Sequence, residues 1–217
     1  MVPIKTNYAN SANHGGMGTK KKYIVIHYTA NDGDSDENNG RYFANNVVKA
    51  SAHFFVDDDS ITCSVPEKYK AYAVGGNKYS NCHLTGGGKL YGKCTNSNSI
   101  SIELCDNVKN GTIYPSQKTI QNAIELTEKL MKEHGIPAAN VIRHFDVTGK
   151  PCPAYWCGSE ANNAKWYSEF HDKLNAEIKE AKAIIKAKAG LSEVTIGYLA
   201  SYTYGDDLLK KLAKAMK

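Results

Sequence analysis

Val141-Ile142-Arg143-His144-Phe145-Asp146-Val147-Thr148-Gly149-Lys150-Pro151-Cys152-Pro153 is the stretch on which the reading of this chain turns. Val141-Ile142-Arg143 reads as a short strand that delivers His144 into a loop. That loop also carries an ammonium at Lys150 and a thiol at Cys152. Pro151 and Pro153 fix their own φ angles, and Gly149 permits a tight turn. A loop so restricted can aim His144 and Cys152 at one point, which is what a metal ion asks of two ligands. A third candidate, His27, lies far upstream at the end of Tyr23-Ile24-Val25-Ile26.

Tyr23 to His27 reads as a strand, rich in β-branched and aromatic residues and followed by the polar run Asn31-Asp32-Gly33-Asp34. Alternation puts Ile24 and Ile26 on one face and Tyr23, Val25 and His27 on the other. His27 thus sits where a strand meets a polar loop, a common place for a functional group. Ile100 to Cys105 alternates as well. Ile100, Ile102 and Leu104 form its apolar face; Ser99, Ser101, Glu103 and Cys105 form a small polar one. That polar face predicts the floor of a wet cleft, because a carboxylate on a central strand must be solvated or paired.

Further elements follow from spacing. Tyr42, Phe43, Val47 and Val48 predict a helix from Asp36 to Ala50. Ser51 to Asp57 and Ser60 to Val65 predict two strands joined at Asp58-Asp59. Residues 66–98, with Gly75-Gly76 and Gly86-Gly87-Gly88, predict a long irregular excursion, read as a groove wall or as a plain surface loop. Ser116 caps a helix whose buried stripe is Ile120, Ala123, Ile124, Thr127, Leu130 and Met131, and Gly135 closes it. Asn162 to about Lys188 predicts one or two helices. Beyond residue 187, Ser192 caps a short helix, and Gly205 separates it from a last amphipathic one bearing Leu208, Leu209, Leu212 and Met216.

The 217 residues suit one full domain with a small appendage. Residues 1–22 read as an extended lead-in, 23–180 as the main domain, and 187–217 as a helical module too poor in apolar residues to make a core alone. No apolar run approaches a membrane span. The start of the chain has no signal-peptide pattern, so synthesis in the cytoplasm is expected, with any wall target reached after release. The net charge of +5 favours anionic surfaces, with no basic and aromatic stripe for nucleic acid. The six cysteines show no disulfide framework and are expected as thiols, Cys82 and Cys94 being the one pair that flanks a loop.

Two imidazoles and a thiolate suit zinc in a catalytic site, which leaves a fourth position to water. A lone His or Cys is more often packing than a ligand. Lys150, two residues before Cys152, strengthens the catalytic reading by offering an electrostatic partner, and Glu103 offers a base. Four stretches taken together carry a resemblance: Tyr23 to His27, Ser51-Ala52-His53-Phe54, Ser101-Ile102-Glu103, and His144 to Pro153. In this order they resemble the type 2 N-acetylmuramoyl-L-alanine amidases, which include phage endolysins and autolysins and share a fold with peptidoglycan recognition proteins.

The resemblance covers about residues 20–175. It implies an α/β fold, a mixed central sheet flanked by helices, with zinc at one edge of the sheet. It also implies hydrolysis of the bond between N-acetylmuramic acid and L-alanine in bacterial peptidoglycan. His27, His144 and Cys152 match the zinc ligands, Lys150 the lysine facing the scissile carbonyl, and Glu103 the base of one branch. Ala52 stands where some members carry a catalytic tyrosine. His53, Tyr28 and Gly75 are candidate substrate contacts, His53 having a structural reading as well. The alternative is a recognition protein that binds peptidoglycan without cutting it, though such members typically lack the cysteine. For the terminal helices two readings stand: wall targeting through lysines, and self-association into a homo-oligomer.

Overall fold

A computed structural model describes residues 1–200, 202 and 205–217. They form two compact units, Met1–His171 and Asp172–Lys217. The first holds a mixed six-stranded sheet. In chain order its strands are β1 (Ile4–Thr6), β3 (Tyr23–Tyr28), β4 (Phe54–Val56), β5 (Ile61–Cys63), β7 (Ser99–Leu104) and β8 (Val141–Arg143). Across the sheet the order is β1-β5-β4-β7-β3-β8. A second, two-stranded ribbon pairs β2 (His14–Met17) with β6 (Tyr69–Ala71).

β4, β7, β3 and β8 run parallel, so their carboxyl ends share one edge. The interior strands are buried on both faces, as parallel sheets require. Ile24, Ile26, Ile100, Ile102 and Leu104 are sealed from solvent, and α3 (Gln117–His134) packs against β7 and β4. That helix starts and stops as its sequence dictates. The Ser116 hydroxyl accepts from the N–H groups of Lys118 and Thr119, and Gly135 ends it at φ 65°. The whole expected stripe from Ile120 to Met131 is buried.

Three expectations are corrected. α1 (Asp36–Asn45) stops five residues early; its buried residues are Asp36, Asn39 and Gly40, and of the spaced apolar residues Phe43 packs against Phe55. Asp36 sinks beneath the sheet edge, accepting from the hydroxyls of Ser60 and Thr62. Gly40 lets the helix approach closely, since a Cβ there would meet Thr62 Cγ2 at 2.5 Å. Tyr42 and Val47 are left exposed. The lead-in is extended but it is built into the fold. β1 lies on β5, and the buried Asn13 side chain accepts from Val48 and Lys49 N–H, which fixes the segment where the helix was expected to continue.

The third correction concerns the appendage. A boundary near residue 187 falls inside α6 (Ala176–Ala189). This helix makes a cluster of its own with α7 (Glu193–Ala200) and α8 (Gly205–Ala215): Ala181, Ile185, Ile196, Leu209 and Ala213 are buried together. The apolar face of α6 supplies the missing core that the last two helices lack. The remaining helices of the first unit are short: α2 (Cys82–Thr85), α4 (His144–Thr148) and α5 (Glu160–Lys165). No helix among the described residues is long and apolar enough to cross a membrane.

Candidate metal centre and substrate cleft

Strand register brings the site together. β3 pairs with β7 so that His27 stands opposite Glu103, and with β8 so that Ile26 stands opposite Arg143. One step further along each chain, His27 meets His144. The two imidazole centroids lie 4.7 Å apart. Cys152 reaches the same point from the loop after α4, its Sγ 3.8 Å from His27 Nδ1. One ligand atom from each of His27, His144 and Cys152 lies within 4.8 Å of the others, and all three residues are buried. Glu103 Oε1 is 3.8 Å from His27 Nδ1.

The loop is held by its own side chains. The Arg143 guanidinium grips the Asp146 carboxylate with two donors, Nε at 3.0 Å and Nη2 at 2.8 Å, and donates to Asn163 Oδ1 as well. Gly149 turns the chain at φ 85°. Behind it the glycine-rich excursion is strapped on: the N–H groups of Tyr79, Gly88 and Leu90 donate to the carbonyls of Thr148, Phe145 and Asp146. Gly87 and Gly149 allow the contact, because a Cβ on Gly87 would lie 2.9 Å from Gly149 Cα. The excursion thus backs the loop, and only Tyr72 and Ala73 near its start line the cleft.

Burial sets the protonation states. His27 is driven well below the usual imidazole range by desolvation, with the His144 and Lys150 charges adding to the effect. His144 falls to about 4 for the same leading reason, helped by Lys150. Both rings are therefore neutral near pH 7, with lone pairs free for a cation. Burial pushes the Cys152 thiol up, and a bound cation would bring it down. Burial also raises Glu103 to about 8, against the pull of Lys150.

Several sealed polar atoms have no hydrogen-bond partner: His27 Nε2, His144 Nδ1 and Glu103 Oε2. Unpaired buried polar atoms are costly, and orphaned atoms on residues of this same cluster indicate a missing ligand. Nitrogen and sulfur donors in this number suit zinc, with the fourth position open. The residues present fit the ion.

A cleft of 570 Å³ opens over the centre. Glu103, Lys150, Pro151, Tyr28 and the three clustered residues line it, together with Thr29, Ala30, Asn31, Asp34, Asn39, Tyr42 and Tyr72 from its other walls. Of the expected substrate contacts, Tyr28 lines the cleft. His53 does not: it is fully buried, its Nδ1 accepting from Ser101 N–H and its Nε2 donating to the Tyr69 carbonyl. Both nitrogens are used, so the structural reading holds for it. Gly75 is exposed and lies outside the cleft lining, because Asn96 Oδ1 accepts from the N–H groups of Ala73 and Val74 and turns the chain away.

The expected wet floor shrinks to Glu103. Ser99, Ser101 and Cys105 are buried under protein, since small side chains let neighbouring segments close over that face. Ala52 lies in an apolar cluster with Phe55 and Cys105. All six cysteines are free thiols. Sequence reasoning missed Asp34, Asn39 and Tyr72 as cleft residues. The run Asn31 to Asp34 was legible as a polar loop, but nothing in it says which way the loop faces.

A family described as N-acetylmuramoyl-L-alanine amidase matches residues 17–155. The chain belongs to the N-acetylmuramoyl-L-alanine amidase family. Among its relatives, the amidase CwlL of Bacillus licheniformis is 34% identical over 89% of this chain and 52% of its own length. The amidase BlyA of Bacillus subtilis is 32% identical over 79% of this chain and 45% of its own length. The chain spans about half the length of these curated relatives. A mutant endolysin from Bacillus subtilis superimposes with a TM-score of 0.60 at 32% identity, covering 78% of this chain and 97% of that one. PlyL gives 0.61 at 27% identity, covering 80% and 96%. The amidase fold expected from the sequence is therefore the fold observed.

Proposed function

We propose that the chain is a zinc-dependent N-acetylmuramoyl-L-alanine amidase that cuts the amide between the lactyl group of N-acetylmuramic acid and the L-alanine of the stem peptide in peptidoglycan. The observation that carries this reading is the convergence of His27, His144 and Cys152 beside Glu103 under an open cleft, in a chain of this family. In it, those three residues hold the ion. Zinc so bound supplies Lewis acidity and makes water nucleophilic near neutral pH.

The chain's own residues do the rest. Glu103 accepts a proton from the attacking water and hands it to the leaving amine, a double role that its raised pKa suits. Lys150 is exposed on the cleft lining and supplies the ammonium that steadies negative charge on the carbonyl oxygen. The buried, neutral imidazoles keep the ligand set ready without a competing proton. The relatives and neighbours suggest an endolysin-type or autolysin-type role, the protein acting on the wall after release. For the second unit two readings stand, wall targeting and self-association, and its mass in solution beside that of a chain ending at residue 171 would separate them.

Zinc content measured beside a wall-digestion assay tests the proposal. Glu103→Gln keeps its zinc and loses about 10²- to 10⁴-fold in turnover. Cys152→Ser loses the zinc. Full activity in chelator, or in Glu103→Gln, would refute the assignment.

A further inference from the structure

The cleft has a second carboxylate that the reaction does not use. Asp34 stands in the loop between β3 and α1, on a wall shared with Thr29, Asn31 and Asn39. Its oxygens are held by three donors: Asn31 Nδ2 at 3.2 Å, Asn39 Nδ2 at 3.1 Å and the Ser35 N–H at 3.0 Å. All three are neutral. Asp34 makes no ion pair among the described residues, so its charge is fixed in place and left uncompensated. Glu103 is the other carboxylate of the lining, and it is engaged beside His27.

The same wall has a further unsatisfied group. The Thr29 hydroxyl is sealed from bulk solvent and has no hydrogen-bond partner, although the residue lines the cleft. Thr29 lies two residues past His27, on the same side of the extended chain. Next to it Ala30 is held at φ 59°, a left-handed conformation that L-residues rarely adopt. The loop is thus braced in a shape that keeps a fixed anion on the substrate side, with Asn31 and Asn39 orienting it.

We infer that Asp34 is a specificity-determining residue that selects stem peptides carrying a free side-chain ammonium. The inference rests on the amidase reading and deepens it. Stem peptides end in carboxylates, which an anionic wall repels. Their one cationic side chain is the amine of a diamino residue, and that amine loses its charge once it is acylated in a cross-link. A fixed carboxylate in the cleft therefore separates free stems from cross-linked ones, and diamino residues from neutral ones.

The test uses zinc-loaded full-length protein and two synthetic muramyl tripeptides, the third residue being lysine in one and its neutral isostere norleucine in the other. The wild type is expected to favour the lysine compound by about five- to twentyfold, through KM. Asp34→Asn is expected to raise KM for that compound far more than for the norleucine one, bringing the two toward parity. The wild-type preference should shrink as salt is added. The inference is overturned if the wild type shows no preference, if Asp34→Asn keeps it, or if the variant slows both compounds equally, which would make Asp34 only a loop brace. If neither compound is cut, calorimetric binding of both to the same two proteins makes the same comparison, so a failed amidase reading and a failed role for Asp34 give different results.

Discussion

Gly149→Ala probes how the catalytic loop is held. The residue sits at φ 85°, where an alanine costs roughly 1–2 kcal/mol in backbone strain. Its new Cβ would lie 2.3 Å from Cys82 Sγ and 3.2 Å from Tyr79 Cβ. The Cys82 thiol is buried and donates to the Thr148 carbonyl at 3.6 Å, so it has little room to retreat. Overpacking of this kind costs about 1–3 kcal/mol. The sum is about 2–5 kcal/mol, and Lys150, the next residue, is displaced with the loop. Cys82→Ala in the same chain removes the colliding sulfur and leaves only the backbone strain. The double variant should therefore regain about 1–3 kcal/mol of the loss, less the roughly 1 kcal/mol that truncating a buried thiol costs on its own. Urea unfolding followed by tryptophan fluorescence reads this directly, because both tryptophans, Trp156 and Trp166, are buried in the first unit. Strictly additive losses in the double variant would refute the packing argument.

Other outcomes follow from the same coordinates. His53→Ala should cost about 2–4 kcal/mol in the same urea assay, because it empties a buried site and orphans Ser101 N–H, while turnover per folded molecule stays near wild type. Asp36 is raised to about 6 by burial, with the Thr62 hydrogen bond opposing and Asp57 adding to the rise. Its folded pKa lies above its unfolded one, so the folded state binds the extra proton. That contribution is complete below about pH 4 and is lost as pH rises through 6; Asp36→Asn should flatten the urea midpoint over that interval relative to wild type. Arg143→Lys should lower zinc affinity measurably in a competition titration, since a single ammonium cannot reproduce the two-pronged grip on Asp146 that shapes the loop carrying His144 and Cys152.

The sequence by itself determined the strands that carry the chemistry and the residues at their ends. Alternation in Tyr23–His27 and Ile100–Leu104, the caps of α3 at Ser116 and Gly135, and the order of four short motifs were local signals, and local backbone preferences kept them in the folded chain. The residues suggested the set His27, His144 and Cys152 and the resemblance strengthened it, and the tertiary structure brought it together: a parallel register of β3 with β7 and β8 places groups from positions 27, 103 and 144 at one edge, and the loop after α4 adds Cys152. What the sequence left open were matters of long-range contact. Whether His53 faced the cleft depended on Ser101 and Tyr69, which claim both its nitrogens. Whether the excursion formed a wall or a strap depended on glycines that let it touch Gly149. α1 turned its polar side inward because Ser60 and Thr62 were waiting for Asp36; of the aromatic residues at helical spacing, Phe43 stacks on Phe55 while Tyr42 is left exposed beside the cleft. Periodicity records which residues can share a face; the partner that covers the face is chosen by distant parts of the chain, and that choice also left Asp34 in the cleft with no ion pair among the described residues.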